Sequence, residues 1–223
     1  MTARPSKRKR KSGKYHHGDL RKALLRAVES ILKNQGLHEL SLRAAARQAR
    51  VSHSAPAHHF RNKAGLLTAF AVEGFDRLSE YVGDSLLQKH PGTGAELIEI
   101  LGETYVAFAL ANPHHFAIMY RMDLLNVKDP EYQRSNDRTF NILKQSVALC
   151  VNEGLILKHQ AEEATVTFLS LAHGLVTLWF SGRLTEKLES MRKSDFAQRS
   201  IRFFVRNLLV PAAKQFTAGK PSV

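Results

Sequence analysis

The sequence predicts an all-α protein of about nine helices, in which an N-terminal three-helix helix-turn-helix domain precedes a C-terminal helical bundle. Three observations lead to this fold class. Apolar residues recur at helical spacing, short polar residues stand where helices would begin, and no stretch alternates like a half-buried strand. We therefore place a disordered basic arm at residues 1–14, the helix-turn-helix domain at 15–66, with its motif at about 41–60, and the bundle at 67–223.

The first long helix has the clearest amphipathic pattern of the chain. Asp19 is expected to cap its start, because a carboxylate there accepts from free amides and complements the helix dipole. Gly36 is expected to end it, since glycine takes positive φ without strain. The apolar residues follow the spacing i, i+3, i+4, i+7, i+8, i+11 and i+12: Leu20, Ala23, Leu24, Ala27, Val28, Ile31 and Leu32. The next two helices are expected to pack on this face.

A helix with a face of small residues is predicted from Ser41. The Ser41 hydroxyl can accept from a free amide of the first turn, so this residue is expected to be the N-cap. A narrow apolar stripe lets a second helix cross closely: Leu42, Ala45, Ala46 and Ala49. Val51 is expected to be buried in the turn that follows.

Two more helix starts are predicted downstream. Ser52 is expected to cap a short helix beginning near His53. Asn62 is expected to cap a longer one beginning at Lys63. The short helix has no apolar face before Phe60, so it is poorly suited to burial. This layout is that of a helix-turn-helix, whose second helix can enter the major groove of DNA; the alternative is an ordinary helical hairpin.

The distribution of charge favours DNA. The net charge is +13. Residues 1–66 contain 16 Lys and Arg against three acids, whereas residues 67–223 contain 17 of each sign. Such asymmetry is typical of a polyanion-binding domain joined to a neutral one. The arm at 1–14 has no acid and is expected to neutralise phosphates or enter a minor groove; a solvated tail and a nuclear-localisation signal are the alternatives.

The rest of the chain is predicted to be helical as well. A long helix from Lys63 to about Gln88 would connect the two domains. Its glycines, Gly65, Gly74 and Gly83, each weaken it by about 1 kcal/mol relative to alanine, so packing must hold it. Further helices are predicted at residues 95–110, 114–120, 131–152, 161–182 and 194–216.

Composition disfavours several other classes of protein. A single cysteine, Cys150, leaves no internal disulfide and fits a reducing cytoplasm. The N-terminus has no apolar signal segment. Polar residues interrupt the stretch 164–182, so we interpret it as a buried helix and expect no membrane span and a cytoplasmic location. No nucleophile elbow or acid–base pair is found, so no enzymatic activity is expected.

Eleven histidines raise the question of a metal site. Most of the candidates are adjacent pairs, whose side chains diverge on a helix, whereas zinc ligands need a converging spacing. We therefore expect no metal and no cofactor. The best trio for a metal would be His114, His115 and His173.

Several segments of the N-terminal third resemble the TetR (tetracycline repressor) family of regulators. They are residues 41–43 (SLR), 49–52 (ARVS), 59–63 (HFRNK) and 66–67 (LL). The family usually has an A-G-V-S turn, a short helix ending in Tyr-x-His-Phe, and a Lys starting the next helix. The resemblance covers about residues 15–70, and residues 171–175 (LAHGL) with Trp179 resemble a C-terminal subgroup with a His-Gly helix. The resemblance to the TetR family implies an all-α homodimer whose C-terminal helices bind an effector and control operator binding.

The resemblance also implies a set of DNA contacts. Arg43 would reach base edges from the first helix of the motif, where an arginine can pair with guanine through two hydrogen bonds. His59 and Lys63 would contact phosphates. The full set is Ser41, Arg43, His53, Ser54, Ala55, Ala57, His58, His59 and Lys63.

Three positions depart from the family pattern. Arg50 replaces the turn glycine, so backbone strain is expected there. Ala57 replaces the tyrosine that contacts phosphate, and it could instead touch a thymine methyl group. Pro56 would lie inside the recognition helix and remove one amide. Base recognition is therefore expected to depend on Arg43 and the histidines.

An effector cavity is implied among the C-terminal helices. Apolar walls with a few polar groups suit a small hydrophobic molecule, and ordinary core packing is the alternative for each residue. The candidates are Phe108, Phe116, Met119, Tyr120, Phe140, Phe168, His173 and Trp179.

The last two helices, 164–182 and 194–216, carry more apolar surface than one domain needs, which favours a homodimer. The candidates for its interface are Phe196, Ile201, Phe204, Val205, Leu208 and Leu209. An isologous dimer would place two recognition helices about 34–36 Å apart and bind a palindromic operator in double-stranded DNA. The function favoured by the sequence is a repressor released from that operator by a small effector. The alternative is an architectural DNA-binding protein without an effector, which would show little sequence preference.

Overall fold

The computed structural model describes residues 17–184 and 193–209. Within these residues the chain forms nine α-helices and one 3₁₀ helix, without a strand, which confirms the all-α class. The described chain divides into two compact units, with the boundary between Leu66 and Leu67. The arm predicted at residues 1–14 lies outside the described residues.

The helices are numbered in chain order. They are α1 (His17–Asn34), α2 (Leu42–Gln48), α3 (Ala55–Phe60), α4 (Lys63–Lys89), α5 (Gly94–Ala111), α6 (Pro113–Met119), α7 (Pro130–Asn152), the 3₁₀ helix (Lys158–Gln160), α8 (Ala161–Phe180) and α9 (Lys193–Leu208). Most predicted bounds differ from these by one or two residues. The predicted end of the last helix, at 216, lies outside the described residues.

The core of the first unit is the apolar face of α1, against which α2 packs. Leu24, Val28 and Ile31 are at most 1 % exposed, as the spacing predicted. Gly36 has φ +88 and lies two residues after Asn34, the last residue of the helix, which confirms its role at the C-terminus. The prediction for Asp19 was wrong, because α1 begins at His17 and Asp19 therefore lies within the first turn.

The second unit is organised around α5. This helix is buried along most of its length and packs against α6, α7, α8 and α9. A buried carboxylate on α5 joins two other elements: Glu103, 6 % exposed, accepts from Lys89 at 2.6 Å and from Arg202 at 2.8 Å. Two cations satisfy this buried charge, which unpaired would cost several kcal/mol.

Candidate DNA interface and ligand cavity

The first helix of the motif is capped as the sequence predicts. The Ser41 hydroxyl accepts from the amide of Ala44 at 3.1 Å, with Ser41 in extended conformation. Ala45 and Ala46 are fully buried. The first helix therefore presents its small residues to the core and leaves both Ser41 and Arg43 exposed at its start.

The turn after α2 forces one residue into the left-handed region. Arg50 has φ +56, so the strain expected from replacing the family's glycine is present. Val51 is half-buried, and the prediction that it is a buried plug was wrong. Pro56 and Phe60 of α3 are buried and supply the apolar packing of the motif instead.

Helix α3 begins two residues later than predicted. Ser54 is the N-cap residue, without a side-chain cap bond, while Ser52 and His53 lie in the preceding turn. Pro56 stands in the first turn, where its missing amide would have had no helical partner. The prediction of Pro56 as an interior residue that removes a hydrogen bond was therefore wrong.

The outer face of α3 is exposed. Ser54, Ala57 and His58 lie at i, i+3 and i+4, so they share one face, and all three are exposed, as is His53 before them. Ala55 is half-buried and stands apart from this face. The exposed set combines the polar side chains of two histidines and Ser54 with the methyl group of Ala57, which suits both hydrogen bonds and apolar contact to base edges in a groove.

The start of α4 is held by two hydrogen bonds. Asn62 Oδ1 accepts from the amide of Gly65 at 2.9 Å, which confirms the predicted cap. Lys63 Nζ donates to the carbonyl of Leu37 at 3.2 Å. Because an ammonium has three donors, this bond leaves two for a phosphate. His59 is half-buried beside Phe60, with ring centroids 5.9 Å apart.

Arg61 is a further basic candidate that the sequence reasoning missed. It is exposed and lies between α3 and α4 with φ +62. Its position directly after the recognition helix was the available signal.

Two family models match the chain, and together they span most of it. "Bacterial regulatory proteins, tetR family" covers residues 24–70. "Tetracyclin repressor-like, C-terminal domain" covers residues 98–204. The chain belongs to the TetR family.

Several other proteins are similar to this chain. The uncharacterized HTH-type transcriptional regulator YobS of Bacillus subtilis (strain 168) is 24% identical over 193 residues, which are 86% of this chain and 94% of that protein. A protein of unknown function from Rhodococcus sp. RHA1 has a TM-score of 0.74 at 29% identity, covering 89% of this chain and 100% of that one. The TetR-family regulator PfmR from Thermus thermophilus shares the fold, with a TM-score of 0.61 at 18% identity, covering 83% and 96%.

The TetR-like C-terminal unit contains a cavity of about 90 Å³, which we call the inner cavity. Helices α4, α5, α7 and α8 supply most of its wall, and Tyr120 follows α6. Its lining is mostly aliphatic and aromatic, with polar atoms from Tyr105, Tyr120, Asn136 and Thr139. Apolar walls with few polar groups are typical of small-molecule sites.

Three of the eight residues predicted for an effector cavity line it: Tyr120, Phe140 and Phe168. The other five lie elsewhere: Phe108, Phe116, Met119, His173 and Trp179. Phe108 and Met119 are 0 % exposed and belong to the close-packed core. Trp179 borders a separate void of about 10 Å³. Phe116 stacks on His173, with ring centroids 5.1 Å apart.

A polar contact joins the wall of the inner cavity to α8. The Tyr105 hydroxyl forms a 2.9 Å hydrogen bond with Nδ1 of His173. Burial raises the pKa of Tyr105 far above its ordinary value and that of Tyr120 to about 12. Burial also lowers the pKa of His173. All three side chains are therefore neutral near pH 7.

The helices predicted to dimerise use much of their apolar surface within the chain. Ile201 and Val205 of α9 are 0 % and 3 % exposed, so the prediction that they pack across a two-fold axis was wrong. Ile201 lies beside Gly102 of α5, and Val205 lines a void together with Phe168 of α8. Phe204 and Leu209 are half-buried and line a void of about 10 Å³, and Phe196 is half-buried beside Trp179. The side chain of Leu208 lies outside the described set.

Helix α8 is only partly buried, contrary to the prediction of a buried helix. The segment Lys158–Phe180 is long and apolar enough to cross a membrane by length and composition alone, and 28% of it is buried. This is weak evidence for a span, since helices of soluble proteins pass the same test. Val166, Leu178 and Phe180 of α8 are 59 %, 44 % and 43 % exposed.

Within residues 17–184 and 193–209, the structure brings together no group of three or more metal-ligating side chains. The trio named from the sequence does not converge on one point. His115 is buried against Phe70, and His173 is bonded to Tyr105.

Proposed function

We propose that this protein is a transcriptional repressor that binds a palindromic DNA operator as a homodimer and is released by a small effector. The observation that carries the proposal is the exposed face of α3, with Ser54, Ala57 and His58 free of packing. A helix that forms without burying these side chains has them available for a groove. The excess positive charge of residues 1–66 supports the same role. The protein would bind this operator in the cytoplasm.

The outer face of α8 supports the homodimer. Gly174 lies on that helix, and no described heavy atom stands within 4 Å of the position that a Cβ would occupy. A glycine inside a helix costs about 1 kcal/mol relative to alanine, and no close contact within its own chain requires it. In a homodimer, the missing side chain at Gly174 would allow α8 of a second copy to approach closely. Phe203 of α9, 71 % exposed, adds apolar area.

The inner cavity supports control by an effector. Its walls are apolar and neutral, and it lies within a helical unit whose folding does not require an internal void. A ligand changes operator affinity only if it binds two conformations with different affinity. A screen of small apolar molecules for raised melting temperature, followed by operator release, tests this part.

Selection from a pool of random DNA duplexes tests the main proposal. A dimeric repressor enriches a palindrome with half-sites about one helical turn apart. Enrichment of no sequence, with a steep salt dependence of binding, would favour the architectural alternative instead.

A further inference from the structure

The inner cavity adjoins a wide surface groove between α4 and α7. This groove, of about 610 Å³, shares Val82 and Ile142 with the lining of the inner cavity. The inner cavity alone, at about 90 Å³, is smaller than the roughly 150 Å³ cavity that holds a benzene molecule. A ligand larger than a few heavy atoms therefore extends beyond the inner cavity, and the shared side chains of Val82 and Ile142 make the groove an adjoining space that it can enter.

Among the described residues, no charged side chain lines either space. The polar groups of the groove are Ser79, Gln145, Ser146 and Asn152. In the inner cavity, removing an ion from water without a partner costs several kcal/mol, and in the surface groove no described side chain of the lining offers an ion a counter-charge. The lining therefore disfavours charge strongly in the inner cavity and gives it no attraction in the groove.

The amide side chains are the polar groups best placed to bind a ligand. The hydroxyls of Ser79 and Thr139 lie 3.3 Å apart, and each donates to a backbone carbonyl of its own helix. Asn136, in the inner cavity, makes one long contact of 3.4 Å with Asp137. Gln145 and Asn152 stand exposed along the groove. An amide can donate and accept, so each suits a neutral hydroxyl, carbonyl or amide group.

We propose that the effector is a narrow, uncharged amphiphile, whose apolar end fills the inner cavity and whose neutral polar end lies in the α4–α7 groove beside Gln145. This inference rests on the proposed effector-binding function and specifies the chemistry of its site. The small inner cavity excludes bulky ring systems, and the uncharged lining gives acids and amines of the same length no counter-charge, so that they bind more weakly.

Gly83 offers a way to close the groove without disturbing the fold. It lines the groove, and no described heavy atom stands within 4 Å of a Cβ built there. Gly83→Leu would therefore extend a side chain into the groove from a Cβ position that meets no neighbour. Gly83→Ala is the matched control, because it makes the same change in helix propensity while leaving the groove open.

The test measures binding of 1-octanol, octanoate and octylammonium to the full-length protein by calorimetry. We expect 1-octanol to bind and the two ions to bind at least about tenfold more weakly, a difference of about 1.4 kcal/mol. Gly83→Leu should weaken 1-octanol binding by about tenfold or more, and Gly83→Ala should leave it within about twofold. Octanoate or octylammonium binding as tightly as 1-octanol would overturn the proposal.

A variant that gains octanoate binding tests independently where the polar end of the ligand lies. Gln145→Lys supplies a cation in the groove and should admit octanoate, whereas Asn141→Lys, also exposed on α7 but outside the groove lining, should not. Octanoate binding by neither or by both variants would contradict the position of the polar end. Binding of none of the three probes to the wild type would overturn the ligand class. Operator selection on the same preparation shows separately whether the protein is a repressor.

Discussion

The imidazole ring of His115 stacks on the ring of Phe70, with centroids 3.9 Å apart, in the core between α6 and α4. His115 is 0 % exposed, and neither ring nitrogen has a hydrogen-bond partner among the described residues. Glu73 Oε1 lies 4.0 Å from Nε2, but Arg77 binds the same carboxylate. Burial, followed by the charges of Arg77 and His114, lowers the pKa of His115 to about 3.

His115→Phe should therefore stabilise the protein at pH 7. It keeps the stack on Phe70 and removes two unpaired polar atoms, for a gain of about 1–2 kcal/mol in the free energy of unfolding. Urea denaturation followed by circular dichroism measures this change. His114→Gln, at the half-buried neighbouring position, is the control and should change stability little. A His115→Phe variant less stable than the wild type would show that the imidazole is needed.

The same residue should make stability depend on pH. The unfolded chain takes up a proton on His115 near its ordinary pKa of 6.5, whereas the folded chain does so only near 3. Stability is therefore lost as the pH falls below 6.5, by about 1.4 kcal/mol per pH unit from this group. Between pH 6.5 and 5, His115→Phe should lose about 2 kcal/mol less than the wild type. Equal losses in both proteins would contradict a neutral buried imidazole.

Arg50→Gly should stabilise the turn between α2 and α3. The φ of +56 costs an L-residue about 1–2 kcal/mol, part of which glycine offsets by its greater freedom when unfolded. We expect Arg50→Gly to be about 1 kcal/mol more stable than Arg50→Ala, which loses the same charge but keeps the strain. Thermal and urea unfolding of the two variants give the comparison. A less stable glycine variant would mean that the turn relaxes in solution.

Replacement of two glycines of α4 by alanine should change the free energy of unfolding in opposite directions. At Gly65 a Cβ would stand 2.1 Å from the carbonyl oxygen of Phe60, so Gly65→Ala must shift the α3–α4 turn and should cost about 2–3 kcal/mol. At Gly83 the space is open, and Gly83→Ala should gain about 1 kcal/mol from helix propensity. Denaturation of both variants measures the two signs, and shifts of the same sign would contradict the packing described here.

Local relations explain what could be predicted from the sequence. The caps at Ser41 and Asn62 each depend on one hydroxyl or amide and a backbone amide three residues later, so short-range chemistry determines them. The start of α3 was misplaced because Ser52 and Ser54 are equally suitable caps. The helix α3 starts at Ala55, with Pro56 buried in its first turn. Burial depends on tertiary packing, so the sequence alone could not decide between the two serines.

The sequence could not predict which residues line the inner cavity, or which residues of α8 and α9 face outward. Phe108 and Phe140 have the same chemistry, yet only Phe140 lines the inner cavity, because α5 is enclosed along most of its length and Phe108 lies within that core. Ile201 has the apolar character of an interface residue but fills the space beside Gly102. The side of a helix that faces a neighbour is decided by packing, which periodicity alone does not specify.

Leu178→Glu should separate the proposed homodimer. A charge on the outer face of α8 would be buried without a partner in a two-fold interface, at a cost of several kcal/mol. Sedimentation at micromolar concentration should show a dimer for the wild type and a monomer for this variant. Leu87→Glu is the control, since Leu87 is 72 % exposed on α4 and should leave the dimer intact. A monomeric wild type, or a dimeric Leu178→Glu, would contradict the interface.

The most direct test of DNA recognition is the dissociation constant for a selected palindrome and for a scrambled duplex. Arg43→Ala should weaken palindrome binding by about 1–3 kcal/mol and reduce the preference over the scrambled duplex, because it removes a contact to base edges. Lys63→Ala should weaken both duplexes about equally, because a phosphate contact carries no sequence information. Melting curves control for loss of the bond from Lys63 to Leu37. Unchanged affinity of both variants for both duplexes would contradict the proposed interface.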